Sequence, residues 1–291
     1  MIPLPRIIKT GVYNIGQEDE PGFIVREYVP GVTLHEALSR RPESEDIQQT
    51  LQQLGKALSA FHEIKLPAFG DINYNRMVDH QNGTWSDYVL NLFYRRMRIV
   101  DQCSPDKIVG DYSARTVQAL LLGLDAVVTE DSRHLEKITD ARLVHGDFHF
   151  LKVVVNGSRK LNLAAILDME NITAGDPSLD FVSNESQLNL AADRYKDLFL
   201  RNIGFFNQGY LEKSQWPSYY EELRRLYHIS WSLSYFSALL MMDMNIHPIT
   251  PHVRQNMDRH YQVLFRLSNG ASMDSLGIEP IVRTLTNNRS T

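Results

Sequence analysis

The chain has 291 residues, a formal net charge of -5, a pI near 6.1 and 43% hydrophobic residues. That is enough apolar material for one large domain or two lobes, and the lack of a basic surplus argues against a nucleic-acid binder. The single Cys103 cannot form an internal disulfide and no charged start runs into an apolar stretch, so the expected setting is a reducing cytoplasm.

Val12 to Ile15 and Phe23 to Tyr28 read as two short antiparallel strands around a polar turn containing Pro21 and Gly22. Thr33-Leu34-His35-Glu36 has the capping-box pattern that opens a helix. Ile47, Leu51, Leu54, Leu58 and Phe61 recur at three- and four-residue intervals, which predicts a helix from Glu45 to Ile64 with one buried face. Trp85 to Val100 and Ala114 to Val128 read as further helices. The first buries Tyr88, Leu92 and Met97 and carries Arg95, Arg96 and Arg98, a cluster that invites a phosphate-binding reading but is expected on a solvated face.

Two apolar strands follow, Leu151 to Val155 and Leu161 to Leu167, joined by a hairpin turn at Asn156-Gly157-Ser158. The hairpin should return Asp168 to the neighbourhood of Lys152. After it, Glu185 to Asn202, Gln215 to Met242 and Pro251 to Leu267 carry helical spacing, with Pro177, Pro217, Pro248 and Pro251 at boundaries. The longest apolar stretch, Ile229 to Met242, is broken by four serines and ends at Asp243. It falls short of the roughly 20 residues of a membrane helix and reads as a core helix.

The chemistry-bearing segment is His145-Gly146-Asp147-Phe148-His149-Phe150-Leu151-Lys152, with Leu167-Asp168-Met169-Glu170 and Gly175-Asp176-Pro177-Ser178-Leu179-Asp180-Phe181 downstream. In this order they resemble the aminoglycoside phosphotransferase and choline kinase family, whose elements read H-G-D-x-H-x-x-N, I-D-W-E and G-D-P-x-x-D-L/F. Pro3 to Ile7, Glu27 to Leu34 and Leu58 to His62 resemble the family's hinge strand, P-G-x-x-L turn and A-x-L-H helix end, so the similarity covers the chain to about Gly270.

The resemblance implies an α+β, protein-kinase-like fold: residues 1–31 as remnant of a small β lobe and hinge, 32–270 as a mainly helical large lobe, and 271–291 as a tail. It implies Asp147 as the residue that orients or deprotonates a substrate hydroxyl, His145 beside it, Asp168 as the magnesium ligand, and Glu27 and Tyr28 as hinge residues toward a nucleotide. The partner implied is a small polar organic molecule, bound by helical-lobe residues that include Tyr235 and Asp243, with Mg2+ and ATP as cofactors if the chain is active and none otherwise.

Two departures narrow this. Lys152 stands where the family has a metal-binding Asn, and an ammonium only donates. It could neutralise phosphate oxygens in place of the second ion, pair with Asp147 or Asp168 and close the metal pocket as in a pseudokinase, or turn outward. The family's glycine-rich loop, strand lysine and helix acid also have no counterpart in these residues, so the resemblance implies an N-terminally truncated small lobe, or a misassigned start, and an apolar surface that a homodimer could cover. A separate reading takes His145, Asp147 and His149 as ligands for zinc or iron in a non-kinase enzyme. No G-x-S-x-G elbow supports a serine hydrolase.

Overall fold

The computed structural model describes residues 2–12, 22–40, 44–72, 83–109, 111–157, 161–190, 193–241, 250–278 and 280–281. Strands β1 (Ile7–Val12) and β2 (Gly22–Arg26) form an antiparallel hairpin in which Thr10 faces Ile24. The first expected strand thus lies earlier than Val12 to Ile15, whose later residues fall outside the described set. Both faces of this hairpin are open, with Ile7, Ile8 and Ile24 about 60% exposed. Its sequence therefore carries no inside-outside alternation to fix the ends.

A two-residue strand β3 (Val32–Thr33) leads into α1 (Leu34–Ser39), where the Thr33 hydroxyl accepts the Glu36 N–H at 3.1 Å. The expected box is half made, because the Glu36 carboxylate turns to Arg40 instead. Helix α2 (Ser44–His62) buries Ile47, Leu51, Leu54, Leu58 and Phe61 as its spacing requires. Strand β4 (Gly70–Asp71) precedes α3 (Trp85–Gln102), which carries a full capping box from Thr84 and Asp87. After β5 (Ile108–Val109) and β6 (Tyr112–Ser113), the expected 114–128 helix is divided into α4 (Ala114–Gln118) and α5 (Leu121–Ser132).

Strands β7 (Arg142–Val144), β8 (Val153–Asn156), β9 (Asn162–Ile166) and β10 (Thr173–Gly175) make two three-stranded sheets, ordered β4-β10-β7 and β3-β8-β9. The β8–β9 hairpin is present, while part of its turn lies outside the described residues. The remaining helices are α6 (Ser178–Leu190), α7 (Asp193–Leu211), α8 (Tyr220–Met241) and α9 (Pro251–Ser268). The expected helix from Glu185 to Asn202 covers the end of α6 and the start of α7, and the two residues between them fall outside the described set. No helix among the described residues is long and apolar enough to cross a membrane.

Helices α2 and α7 cross at backbone contact. A Cβ at Gly55 would lie 2.0 Å from the Phe206 carbonyl oxygen, and one at Gly209 would lie 2.0 Å from that of Gln52. Elsewhere the core is largely Phe, Leu and Val, and charged side chains are set into it. Buried Arg224 donates through Nε to Glu185 Oε2 at 2.7 Å and through Nη2 to the Ile278 carbonyl at 2.5 Å, and Glu185 Oε1 accepts the Ile281 N–H at 3.0 Å. Residues beyond Gly270, which lacked a match in the sequence reading, are thereby tied to α6 and α8.

Candidate phosphate-transfer site

Strand β7 ends at Val144, and the loop that starts at His145 is held from behind by α6. Asp180, fully buried in the first turn of α6, accepts the backbone N–H groups of His145 at 2.9 Å and Gly146 at 2.8 Å. His62 at the end of α2 completes the clamp, with Nε2 at 3.1 Å from Asp180 and Nδ1 at 2.8 Å from the Tyr210 hydroxyl. Gly146 has φ +78°, and a Cβ there would lie 2.1 Å from the Asn171 carbonyl oxygen, so the loop needs glycine.

His145 is buried and does not line the cleft. Its Nε2 faces the Leu167 carbonyl at 2.9 Å and so must carry the proton, leaving Nδ1 to accept the Asp147 N–H at 3.3 Å. Both ring nitrogens are committed to shaping the backbone, which makes His145 a positioning residue and removes it from any metal-ligand set. His149 is buried, and burial, with Lys152 and His145 adding to it, lowers its pKa to about 3. The ring is neutral, and its Nδ1 has no partner. Among the described residues no three His, Cys, Asp or Glu side chains are grouped to hold a metal. The zinc or iron reading of His145, Asp147 and His149 is therefore withdrawn.

Lys152 closes a short 3-10 turn, Phe150–Lys152, whose buried Phe150 packs against Phe199 at 4.3 Å between ring centres. Across the hairpin, the Leu167 N–H donates to the Lys152 carbonyl at 2.8 Å, which brings Asp168 alongside. Asp168 stands in the left-handed region at φ 67°, ψ 59°, a conformation costly for a residue with a Cβ. The Lys152 ammonium pairs with the Asp168 carboxylate and lies 3.0 Å from Asp147 Oδ2. Burial raises the Asp147 pKa, against the lowering pull of Lys152.

Lys152 is turned inward, between the two carboxylates, and not outward. These residues do not fit a pair of divalent ions. A cation already holds the oxygens a metal would take, and Lys152 supplies no oxygen of its own.

Asp147, His149 and Lys152 open onto a cleft of about 710 Å3 walled by α3, α8 and α9. Trp85, Tyr88, Leu92 and Arg96 line it from α3, and Tyr227, Trp231, Tyr235 and Ala238 from α8. The spacing in each set is helical, so two stripes face each other. The Tyr88 hydroxyl donates to Asp71 at 2.5 Å, and the Trp85 indole donates to Tyr227, whose hydroxyl donates in turn to Asp176 at 2.7 Å. Asp176 also accepts the Ser178 N–H at 3.0 Å, capping α6.

Arg96 corrects the solvated-face reading of its helix. It is half-buried, and its Nη1 donates to the Ser230 carbonyl at 3.0 Å and hydroxyl at 2.6 Å. Loss of water lowers its pKa to about 10. Arg95 lines the cleft from a more exposed position, while Arg98 is exposed as expected.

Tyr235 lines the cleft as anticipated, and Asp243 lies outside the described residues. Glu27 and Tyr28 do not line it. Glu27 pairs with Arg6 and accepts its backbone N–H at 3.1 Å, and Tyr28 is 84% exposed.

Residues 2–184 match the family model described as the phosphotransferase enzyme family. Among solved structures, the chain is similar to the aminoglycoside phosphotransferase APH(4)-Ia, at 17% identity over 93% of this chain and 78% of that one, TM-score 0.62. It is also similar to APH(2")-IIa in a ternary complex with streptomycin and ATP, at 15% identity over 90% and 76%, TM-score 0.53. Plasmodium vivax ethanolamine kinase matches at 13% identity over 92% and 69%, TM-score 0.51. At these identities the likeness is one of fold. No curated protein sequence matches the chain.

Proposed function

This chain belongs to the phosphotransferase enzyme family, and from that premise we propose that it is a small-molecule-binding member whose metal site is closed by its own Lys152. The observation that carries this is the ammonium set between the Asp147 and Asp168 carboxylates. In phosphoryl transfer, catalysis is almost entirely positioning and charge stabilisation, and both depend on metal held at these positions. A unit positive charge at contact distance opposes a divalent ion by several kcal/mol at an effective dielectric near 20, which is on the order of a thousandfold in affinity. The chain is then a pseudokinase that keeps the acceptor cleft.

Structural neighbours are described in complexes with streptomycin and ATP, or as an ethanolamine kinase. A small polar organic ligand in the cleft follows that pattern. In this reading residues 1–31 are a small-lobe and hinge segment carrying Glu27 and Tyr28, residues 32–270 the binding lobe and 271–291 a tail. The exposed apolar hairpin β1–β2 is the surface for a homodimer, and the setting is cytoplasmic.

The alternative is an active kinase in which Lys152 replaces one ion. The position of its ammonium at the cleft floor favours that reading only if the ammonium leaves both carboxylates to meet phosphate. Calorimetry separates the two. The wild type is expected to show no magnesium-dependent binding of ATP, and Lys152→Asn to raise magnesium affinity at least tenfold. Tight magnesium-dependent ATP binding by the wild type overturns the closed-site reading, and an unchanged magnesium affinity in the variant overturns the account of Lys152.

A further inference from the structure

The cleft is floored by carboxylates, yet its α3 wall presents guanidinium groups that those carboxylates do not neutralise. Among the described residues no carboxylate lies within 4.0 Å of a side-chain nitrogen of Arg95 or Arg96. Asp71, the acid most nearly placed to serve Arg96, accepts the Tyr88 hydroxyl at 2.5 Å. Asp147 is occupied by Lys152. The contacts that Arg96 does make go to one neutral residue, the carbonyl and hydroxyl of Ser230, and both use Nη1.

The Nε and Nη2 donors therefore have no acceptor among the described residues. They share one edge of the planar fork, the edge that meets two oxygens of an oxyanion side by side. A half-buried cation without a counter-charge is unfavourable, and a ligand that supplies the charge recovers that loss. The neighbouring surfaces are aromatic, with Trp85, Tyr88, Trp231 and Tyr235 along the walls.

We propose that the cleft binds a small carboxylic acid, its carboxylate held on the Nε and Nη2 edge of Arg96, with Arg95 adding charge at the rim, and its apolar body against the aromatic walls. This rests on the cleft being a small-molecule site, as argued above, and gives that site a substrate class. A carboxylate is selected and an amine is rejected, because an ammonium in the same place would face two guanidinium groups. The charge preference is set by α3 and α8, whereas metal exclusion is set by the β8–β9 hairpin, so the two ideas fail separately.

The test uses wild-type protein without nucleotide or magnesium and reads tryptophan fluorescence and calorimetric titration. The probes are mandelate and lactate, each against its amide, with phenylethanolamine as the amine counterpart and phenyl phosphate as the competing oxyanion. An acid should bind at least about tenfold tighter than its amide, and the amine weaker still. Arg96→Gln should erase the acid–amide difference. Arg96→Lys, which keeps the charge and loses the fork, should keep only part of it and guards against a variant that fails to fold.

No acid binding tighter than its amide, or an acid preference that survives Arg96→Gln in folded protein, overturns the proposal. Phenyl phosphate binding tighter than both acids overturns the carboxylate assignment. Magnesium-dependent ATP binding by the wild type would sink the closed metal site and leave the acid preference standing.

Discussion

Asp180 decides the shape of the site without entering it. The buried Asp180 carboxylate receives two backbone N–H groups of the His145–Lys152 loop and the His62 ring. Asn at this position would present an NH2 group to at least one of those donors. Asp180→Asn should therefore cost about 2–3 kcal/mol in urea unfolding, and the His145 and Gly146 amides should exchange with solvent faster than in the wild type. Unchanged protection there would mean that the loop is held by something else. At this scale the sequence was informative where chemistry is contiguous. Residues His145 to Lys152 form one segment, and the hairpin after it forces Asp168 to return beside Lys152. Arg96 was not legible, because its partner Ser230 lies on another helix far along the chain, and nothing local distinguishes an inward arginine from a solvated one.

Among the elements, the α2–α7 pair is the most exacting contact. With hypothetical Cβ positions 2.0 Å from opposing carbonyl oxygens, neither Gly55 nor Gly209 can be enlarged unless the helices separate. Alanine normally improves a helix interior, but Gly55→Ala is expected to destabilise by about 1–3 kcal/mol through overpacking. Thermal melts of Gly55→Ala and Gly209→Ala check this, and a raised melting temperature in either would contradict it. Helix α2 was readable from its apolar spacing because periodicity is local, and the tight crossing was not, since a glycine in a helix looks the same whether or not a carbonyl faces it.

For the molecule as a whole, buried imidazoles set an acid limit. His260 is 4% exposed, and burial, with His228 adding to it, lowers its pKa to about 4. An unfolded histidine takes its proton near pH 6.5, so between these values the unfolded chain binds a proton that the folded chain refuses. Stability present above pH 6.5 is lost as pH falls toward 4, at up to about 1.4 kcal/mol per pH unit for this residue. His228, also lowered by burial, acts in the same direction. Raised carboxylates such as Asp147 and Asp176 act oppositely, holding protons in the folded chain. The comparison of wild type with His260→Gln cancels them. Urea titrations at successive pH values should show a shallower slope for the variant, and parallel slopes would remove His260 from the explanation.

The buried pair Arg224 and Glu185 bears on modularity. The family match stops at residue 184, one position before the carboxylate that binds Arg224 on α8 and Ile281 near the far end of the described chain. Cutting there would keep that pair on one piece but sever α6 between Asn184 and Glu185, and would part Asp176 from the Tyr227 hydroxyl of α8 and His62 from the Tyr210 hydroxyl of α7. The segment carrying the recognisable motifs is thus not a separable cassette. It shares one cooperative unit with the half that lacks them, and mild proteolysis should yield either the intact body or small fragments, with no stable piece ending at that border.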